Sequence, residues 1–174
     1  MLLSLHGQSK DALAKTKLGA WEYDIVYPAY KCNMTYIMAS IGLVQLKRYP
    51  SILEKRREMI EIYNSYFKDD KRFSYLNHYD ETSSSSGHLY LLRLNGKDKE
   101  FRNNLITKLA EKGIATNVHY KPLPLLTAYK NLGFDIKDFP NAFAQFENEI
   151  SLPLNTVMTV DDVHFVAKTL LEEY

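Results

Sequence analysis

One cysteine among 174 residues leaves nothing to pair with, so no intrachain disulfide framework is expected. A lone Cys32 suits a reducing cytoplasm. Glycine is also scarce: the seven present are scattered, and none builds a phosphate-cradling loop. No stretch approaches the ~20 apolar residues of a membrane span. The apolar start, Met1 to Gly7, is only about five residues long, short of the roughly 7–15 of a signal peptide, so no leader is expected. Charge of one sign is missing too. The net charge is +1 and the charges are interspersed, which offers no basic patch for nucleic acid and no acidic tail. His6, His78, His88, His119 and His164 are dispersed without an i, i+4 pair, so no metal site is expected. A dyad of Cys32 with a histidine for acyl transfer comes with no oxyanion-hole pattern.

What is present is a foldable chain: 45% of residues are apolar, and thirteen are tyrosines suited to half-buried surfaces. The length allows one domain, or a domain with an appendage. Residues 1–33 have little helical period and read as an arm carrying Trp21, Tyr23, Tyr27 and Tyr30. Residues 34–174 read as the domain proper, led by linking helices over 34–68. The first helix is expected from Met34 to Lys47, with Ile37, Met38, Ile41 and Val44 as its stripe and Asn33 or Thr35 as its cap. Pro50 then suits the first position of a second helix, whose apolar face carries Ile52, Leu53, Met59, Ile60, Tyr63, Tyr66 and Phe67. Arg56 falls on that face, either as a stem that snorkels or as half of a buried ion pair.

Further on, Phe73 to Leu76 reads as a strand and the serine-rich Thr82 to Gly87 as a loop. The nearly continuous apolar run from His88 to Leu94 reads as the central strand, with His88 a core histidine. A helix follows from about Asp98 to a stop at Gly113. Then come a strand over Ala115 to Tyr120, a short helix near Leu125 to Leu132, a helix opened by Pro140, and an edge strand from Ile150 to Leu154. The last helix starts with the capping box Thr159-x-x-Asp162. The order predicts an α+β fold, a small, mostly antiparallel sheet covered by helices.

Two segments carry candidate chemistry. In the run from Tyr30 to Gln45 a polar cluster enters a helix rich in small residues. Free N–H groups and the dipole at such a start favour an anion, and Asn33 there reads either as a cap or as a ligand. The segment Val118-His119-Tyr120-Lys121-Pro122-Leu123 puts a His, a Tyr and a Lys at a strand end before two prolines. It reads as the lip of a ligand cleft or as a half-exposed strand end.

Together these segments resemble the C-terminal part of the DegT/DnrJ/StrS sugar aminotransferases, pyridoxal-phosphate enzymes of the aspartate-aminotransferase fold type I. The resemblance is carried in order by Leu3 to Gly7, Trp21-Glu22-Tyr23, Tyr30 to Gln45, Leu53 to Arg57, His88-Leu89-Tyr90, Lys112 to Tyr120, Phe139 to Ala142 and Ile150 to Leu154. Within the key motif this chain has Ala29 and Tyr36 where the family has Gly and Asp. The resemblance implies a small C-terminal domain with a kinked long helix pair, working in a homodimer or higher oligomer in the cytoplasm. Asn33 would reach in trans to the phosphate of pyridoxal phosphate. Tyr30, Lys31, His119 and Tyr120 would lie by a nucleotide-sugar substrate. The implied reaction is amino transfer from glutamate to a keto-sugar nucleotide, in amino-sugar biosynthesis for lipopolysaccharide or capsule. The family's Schiff-base lysine, its pyridinium-pairing acid and its ring-stacking aromatic belong to a preceding large domain. Lys31 and Lys121 occupy positions with other roles. No catalytic residue is therefore expected here, no covalent cofactor attachment from a family-type lysine, and no activity from this chain alone. The alternative is a non-enzymatic oligomerisation module derived from that family.

Overall fold

The computed structural model describes residues 30–32 and 34–174. The chain divides by its internal packing into two units that meet between Tyr49 and Pro50. A helix of 32 residues, α1 (Tyr36–Phe67), is continuous through this point. The sequence suggested two helices with Pro50 opening the second; instead Pro50 lies inside α1. Its missing N–H leaves the ladder without one donor at that point.

In the first unit, Thr35 caps α1: its Oγ1 accepts from the Met38 N–H at 3.3 Å, and its carbonyl accepts from the Ala39 N–H at 2.9 Å. The expected stripe of Ile37, Met38, Ile41 and Val44 is exposed, as are Leu43 and Leu46. Half of α1 thus has the composition of a buried helix without burial.

The second unit has a three-stranded antiparallel sheet of β1 (Phe73–Tyr75), β2 (Tyr90–Leu94) and β3 (Glu149–Leu152) in the order β1-β2-β3. Register pairs Tyr75 with Leu92 on one side, and Leu92 with Ile150 on the other. The central strand alternates: Tyr90, Leu92 and Leu94 are buried, while Leu91 and Arg93 are half-buried. α2 (Lys99–Glu111), α3 (Thr127–Asn131), α4 (Pro140–Asn148) and α5 (Val160–Glu173) complete the α+β fold. The core gathers Met59, Ile60, Tyr63 and Phe67 of α1, the inward residues of β2, Leu105 and Leu109 of α2, and Val163, Val166 and Leu170 of α5. Its two buried phenols keep partners: Tyr63 donates to the Pro153 carbonyl and Tyr90 to Asn64 Oδ1, each at 2.8 Å. Burial pushes both pKa values well above the usual phenol range.

The ends of the helices follow local chemistry. Asp98 caps α2 by accepting from the Phe101 N–H, Gly113 follows at φ +79°, and both bonds of the Thr159–Asp162 capping box open α5. Leu125 to Leu132 is not one helix: a 3-10 turn over Leu123–Leu125 breaks at an extended Leu126 before α3. Among the described residues Arg56 meets no acid; its Nη1 donates to the Ser86 carbonyl at 3.2 Å from a half-buried stem. That carbonyl belongs to the serine loop, where Asp80 accepts from the N–H and hydroxyl groups of Thr82 and Ser83, which hold its carboxyl down at about 2.

His88 is exposed and precedes the strand, so it is not the core histidine. Burial falls to His78, which stacks on Tyr90 with ring centroids 6.1 Å apart and has Nδ1 3.2 Å from Ser85 Oγ. Burial pushes the His78 pKa down. Among the described residues no helix is long and apolar enough to cross a membrane.

Candidate functional site

β3 is an edge strand in sheet order, yet all four of its residues are buried. The segment 117–119 covers that edge. Asn117 and Ser151 exchange two backbone bonds, 2.8 Å and 3.2 Å, as an isolated bridge. The strand expected over Ala115 to Tyr120 goes no further, because side chains take its next two donors. Asn117 Oδ1 accepts from the Val118 N–H at 2.8 Å, and Glu149 Oε2 accepts from the His119 N–H at 2.9 Å. A non-proline cis peptide joins His119 to Tyr120.

Strand periodicity puts Glu149 and Ser151 on one face of β3, and they meet His119 there. Ser151 Oγ donates to Glu149 Oε1 at 2.5 Å and lies 2.7 Å from His119 Nδ1. Asn117 Nδ2 lies 3.4 Å from His119 Nε2. On α2, the buried Arg102 donates from Nη1 to the Glu149 carbonyl at 3.1 Å, and its guanidinium carbon stands 5.1 Å from the Phe146 ring centre. Burial pushes the Glu149 carboxyl up against the opposing hydrogen bonds from Ser151 and the His119 N–H and the charges of His119 and Arg102. Burial also draws Arg102 down, with Glu149 opposing.

This order is carboxylate, hydroxyl, imidazole. In an acyl-transfer triad the imidazole sits in the middle and takes the proton of the hydroxyl. Here the Ser151 proton points at Glu149 and the serine is buried, so Ser151 is not a nucleophile. The arrangement holds His119 rather than activating Ser151. Tyr120 packs edge-on to His119 at 4.6 Å and is otherwise exposed. The chain then enters the wall of an apolar cavity of about 340 Å³ lined by Pro122, Leu123, Pro124, Tyr129, Phe134 and Phe139. Pro124 and Phe134 are shared with a cavity of about 420 Å³ that also has Lys130 and Asp135 on its wall.

Of the residues singled out by sequence, His119 and Tyr120 lie together in the second unit, ring against ring. Tyr30 and Lys31 are exposed residues of the first unit, and Asn33 lies outside the described residues. Cys32 is a free, exposed thiol. Glu149, Ser151, Asn117 and Arg102 went unread. The available signal was a Glu-x-Ser alternation inside an otherwise apolar strand.

The model of the DegT/DnrJ/EryC1/StrS aminotransferase family matches residues 1–171. The chain is 34% identical over 173 residues to the spore coat polysaccharide biosynthesis protein SpsC of Bacillus subtilis, covering 97% of this chain and 44% of SpsC. It is 32% identical over 169 residues to the UDP-4-amino-4,6-dideoxy-N-acetyl-beta-L-altrosamine transaminase of Campylobacter jejuni serotype O:2, covering 97% and 43%. The structure of Spr1654 from Streptococcus pneumoniae in its PMP form superimposes with a TM-score of 0.83 at 58% identity, covering 99% of this chain and 43% of that one. The chain therefore spans about two-fifths of the length of the relatives it matches, their C-terminal part.

Proposed function

The chain belongs to the DegT/DnrJ/EryC1/StrS aminotransferase family, and from that premise we propose that it supplies the substrate-facing and partner-facing C-terminal portion of a nucleotide-sugar aminotransferase. The proposed reaction is amino transfer from glutamate to a nucleotide-linked keto-sugar, feeding a surface polysaccharide. The names of the Campylobacter and Bacillus relatives support the substrate class and the use. In this reading the single helix α1 (Tyr36–Phe67) connects the small domain to the rest of the enzyme. The single Cys32 suits a cytoplasmic location. The observation that carries the reading is the built relay at His119, where a wholly buried carboxyl group is committed to one half-exposed histidine three residues before the chain enters the wall of an apolar cavity.

Pyridoxal phosphate is the family's cofactor; when bound, it carries the amino group between donor and acceptor. The described residues do not fit a covalent site for it. An imine-forming lysine needs desolvation or a neighbouring cation to lower its pKa. No lysine among the described residues is buried. Lys55 donates to the Thr156 carbonyl at 2.8 Å, and Lys108 and Lys112 lie by Glu173. The chemistry on the cofactor then belongs to residues of the family's N-terminal portion, carried with this chain or apart from it. His119, Tyr120, Tyr30 and Lys31 take substrate contacts, and Asn33 the cofactor phosphate of a partner subunit.

Incubation of the 174-residue chain with pyridoxal phosphate, followed by absorbance and borohydride trapping, tests this directly. No stoichiometric adduct at one defined lysine is expected. One such adduct together with glutamate turnover by the chain alone would overturn the reading. The exposed apolar half of α1 favours a second reading, an association module, whose test opens the Discussion.

A further inference from the structure

We propose that Glu149 and Ser151 are positioning residues that select, whenever His119 is in its uncharged form, the Nδ1–H tautomer, so that Nε2 presents a hydrogen-bond acceptor to a hydroxyl or N–H group of the substrate. The ligand half of this statement rests on the reading that His119 faces the substrate; the tautomer half rests on geometry alone.

Two independent lines fix the proton. The first runs from Glu149. Ser151 Oγ is 2.5 Å from Glu149 Oε1; with Glu149 ionised that oxygen only accepts, so the single hydroxyl proton points there. Towards His119 Nδ1, 2.7 Å away, the hydroxyl has only lone pairs left. Nδ1 must therefore carry the hydrogen. The second line runs from Asn117. Its Oδ1 is fixed by the Val118 N–H at 2.8 Å, which settles which way the amide points. Its Nδ2 then faces His119 Nε2 at 3.4 Å as a donor, which favours Nε2 as the bare nitrogen. Both ends of the ring give the same answer, and neither line uses the other.

The carrier is rigid. Glu149 is fully buried, and its second oxygen takes the backbone N–H of His119 at 2.9 Å, so ring and main chain hang from one carboxylate. Ser151 is held by its two backbone bonds with Asn117, and the Glu149 carbonyl by Arg102 Nη1. The bond from Asn117 is long, so a donor on a ligand competes easily for the Nε2 lone pair. A neutral acceptor at this position repels a phosphate oxygen and favours a sugar hydroxyl or a base N–H. Sequence spacing gave His119 as a candidate; the acceptor role and its two supports come only from the packing of β3.

Nitrogen-15 spectra of the histidines in the 174-residue chain, recorded at about pH 8.5 where imidazole is neutral, read the tautomer without cofactor or substrate. The Nδ1–H form of His119 is expected to exceed the Nε2–H form by about tenfold, the value of one net hydrogen bond. Ser151→Ala and Glu149→Gln should each bring Nε2–H up to a comparable or larger share, and Ser151→Thr, which keeps the hydroxyl, should retain Nδ1–H. A wild-type His119 in the Nε2–H form overturns the proposal even if a variant fails to fold. So does a Nδ1–H share that survives both Ser151→Ala and Glu149→Gln unchanged. These spectra can fail while the aminotransferase reading stands, and glutamate turnover by the chain alone would defeat that reading while leaving the tautomer intact.

Discussion

Replacing Ile41 and Val44 together by glutamate should abolish self-association of this chain. Both lie on the half of α1 that is apolar nearly all round, a pattern that ordinarily marks a buried helix. Ile37, Met38, Ile41, Leu43, Val44 and Leu46 are between 55% and 75% exposed. Full burial of such a side chain is worth about 1.5–3 kcal/mol, so the still-exposed fractions of the six hold on the order of 6–11 kcal/mol per copy. A symmetric pair of copies counts that twice. The sum stands against roughly 4–15 kcal/mol of lost freedom on association, which leaves a net term able to give micromolar binding, about −8 kcal/mol. The double substitution removes about a third of the apolar term and sets unpaired carboxylates in the contact, costing at least about 3 kcal/mol, or a hundredfold in Kd. None of these residues belongs to the core of the second unit, so that unit should stay folded. Sedimentation velocity from about 1 to 100 μM, the span in which a micromolar Kd shows, reads the outcome. Wild-type chain at monomer mass across the range would refute the argument, as would undiminished association of the variant.

Two further tests probe the frame that carries the site. His78 is buried with its pKa held below the ordinary value of about 6.5, so on acidification the unfolded chain takes the proton first. Its contribution to stability is complete above about pH 6.5 and is lost as pH falls through the folded-state value. Glu149 works in the opposite direction, its raised pKa favouring the fold as pH falls, so the comparison needs a His78→Gln control. Urea midpoints at several pH values around 6 should fall more steeply in the wild type than in that variant; a steeper fall in the variant would show the sign to be wrong. Gly87 has φ +59°, and a Cβ there would stand 3.0 Å from Ile60 Cδ1 and 3.2 Å from Arg56 Cβ. Gly87→Ala should therefore cost about 1–3 kcal/mol, from strain plus crowding against α1, read as a lower urea midpoint; an unchanged midpoint would argue against that close approach.

The parts of the fold legible in sequence were those set by contacts within a few residues. The caps at Asp98 and Thr159, the stop at Gly113 and the apolar run of β2 all act locally, and they stand where the sequence puts them. The misreadings share a cause. Pro50 looked like a helix start because its chemistry is permitted there, but α1 runs through it from Tyr36 to Phe67. His88 looked central because apolar neighbours follow it, yet β2 begins two residues later. Ala115 to Tyr120 has strand composition, but Asn117 and Glu149 take the backbone donors that a ladder would use.

Sequence alone determined the family, the α+β class and the candidacy of His119 and Tyr120, since these are written in ordered local motifs and in side-chain type. Only the tertiary structure decided what faces His119. Glu149 and Ser151 lie thirty or more residues away in the chain, and which of their oxygens meets which nitrogen depends on the pairing of Ser151 with Asn117. A hydrogen bond acts over about 3 Å, and no pattern of spacing along a chain fixes a distance that short between segments so far apart.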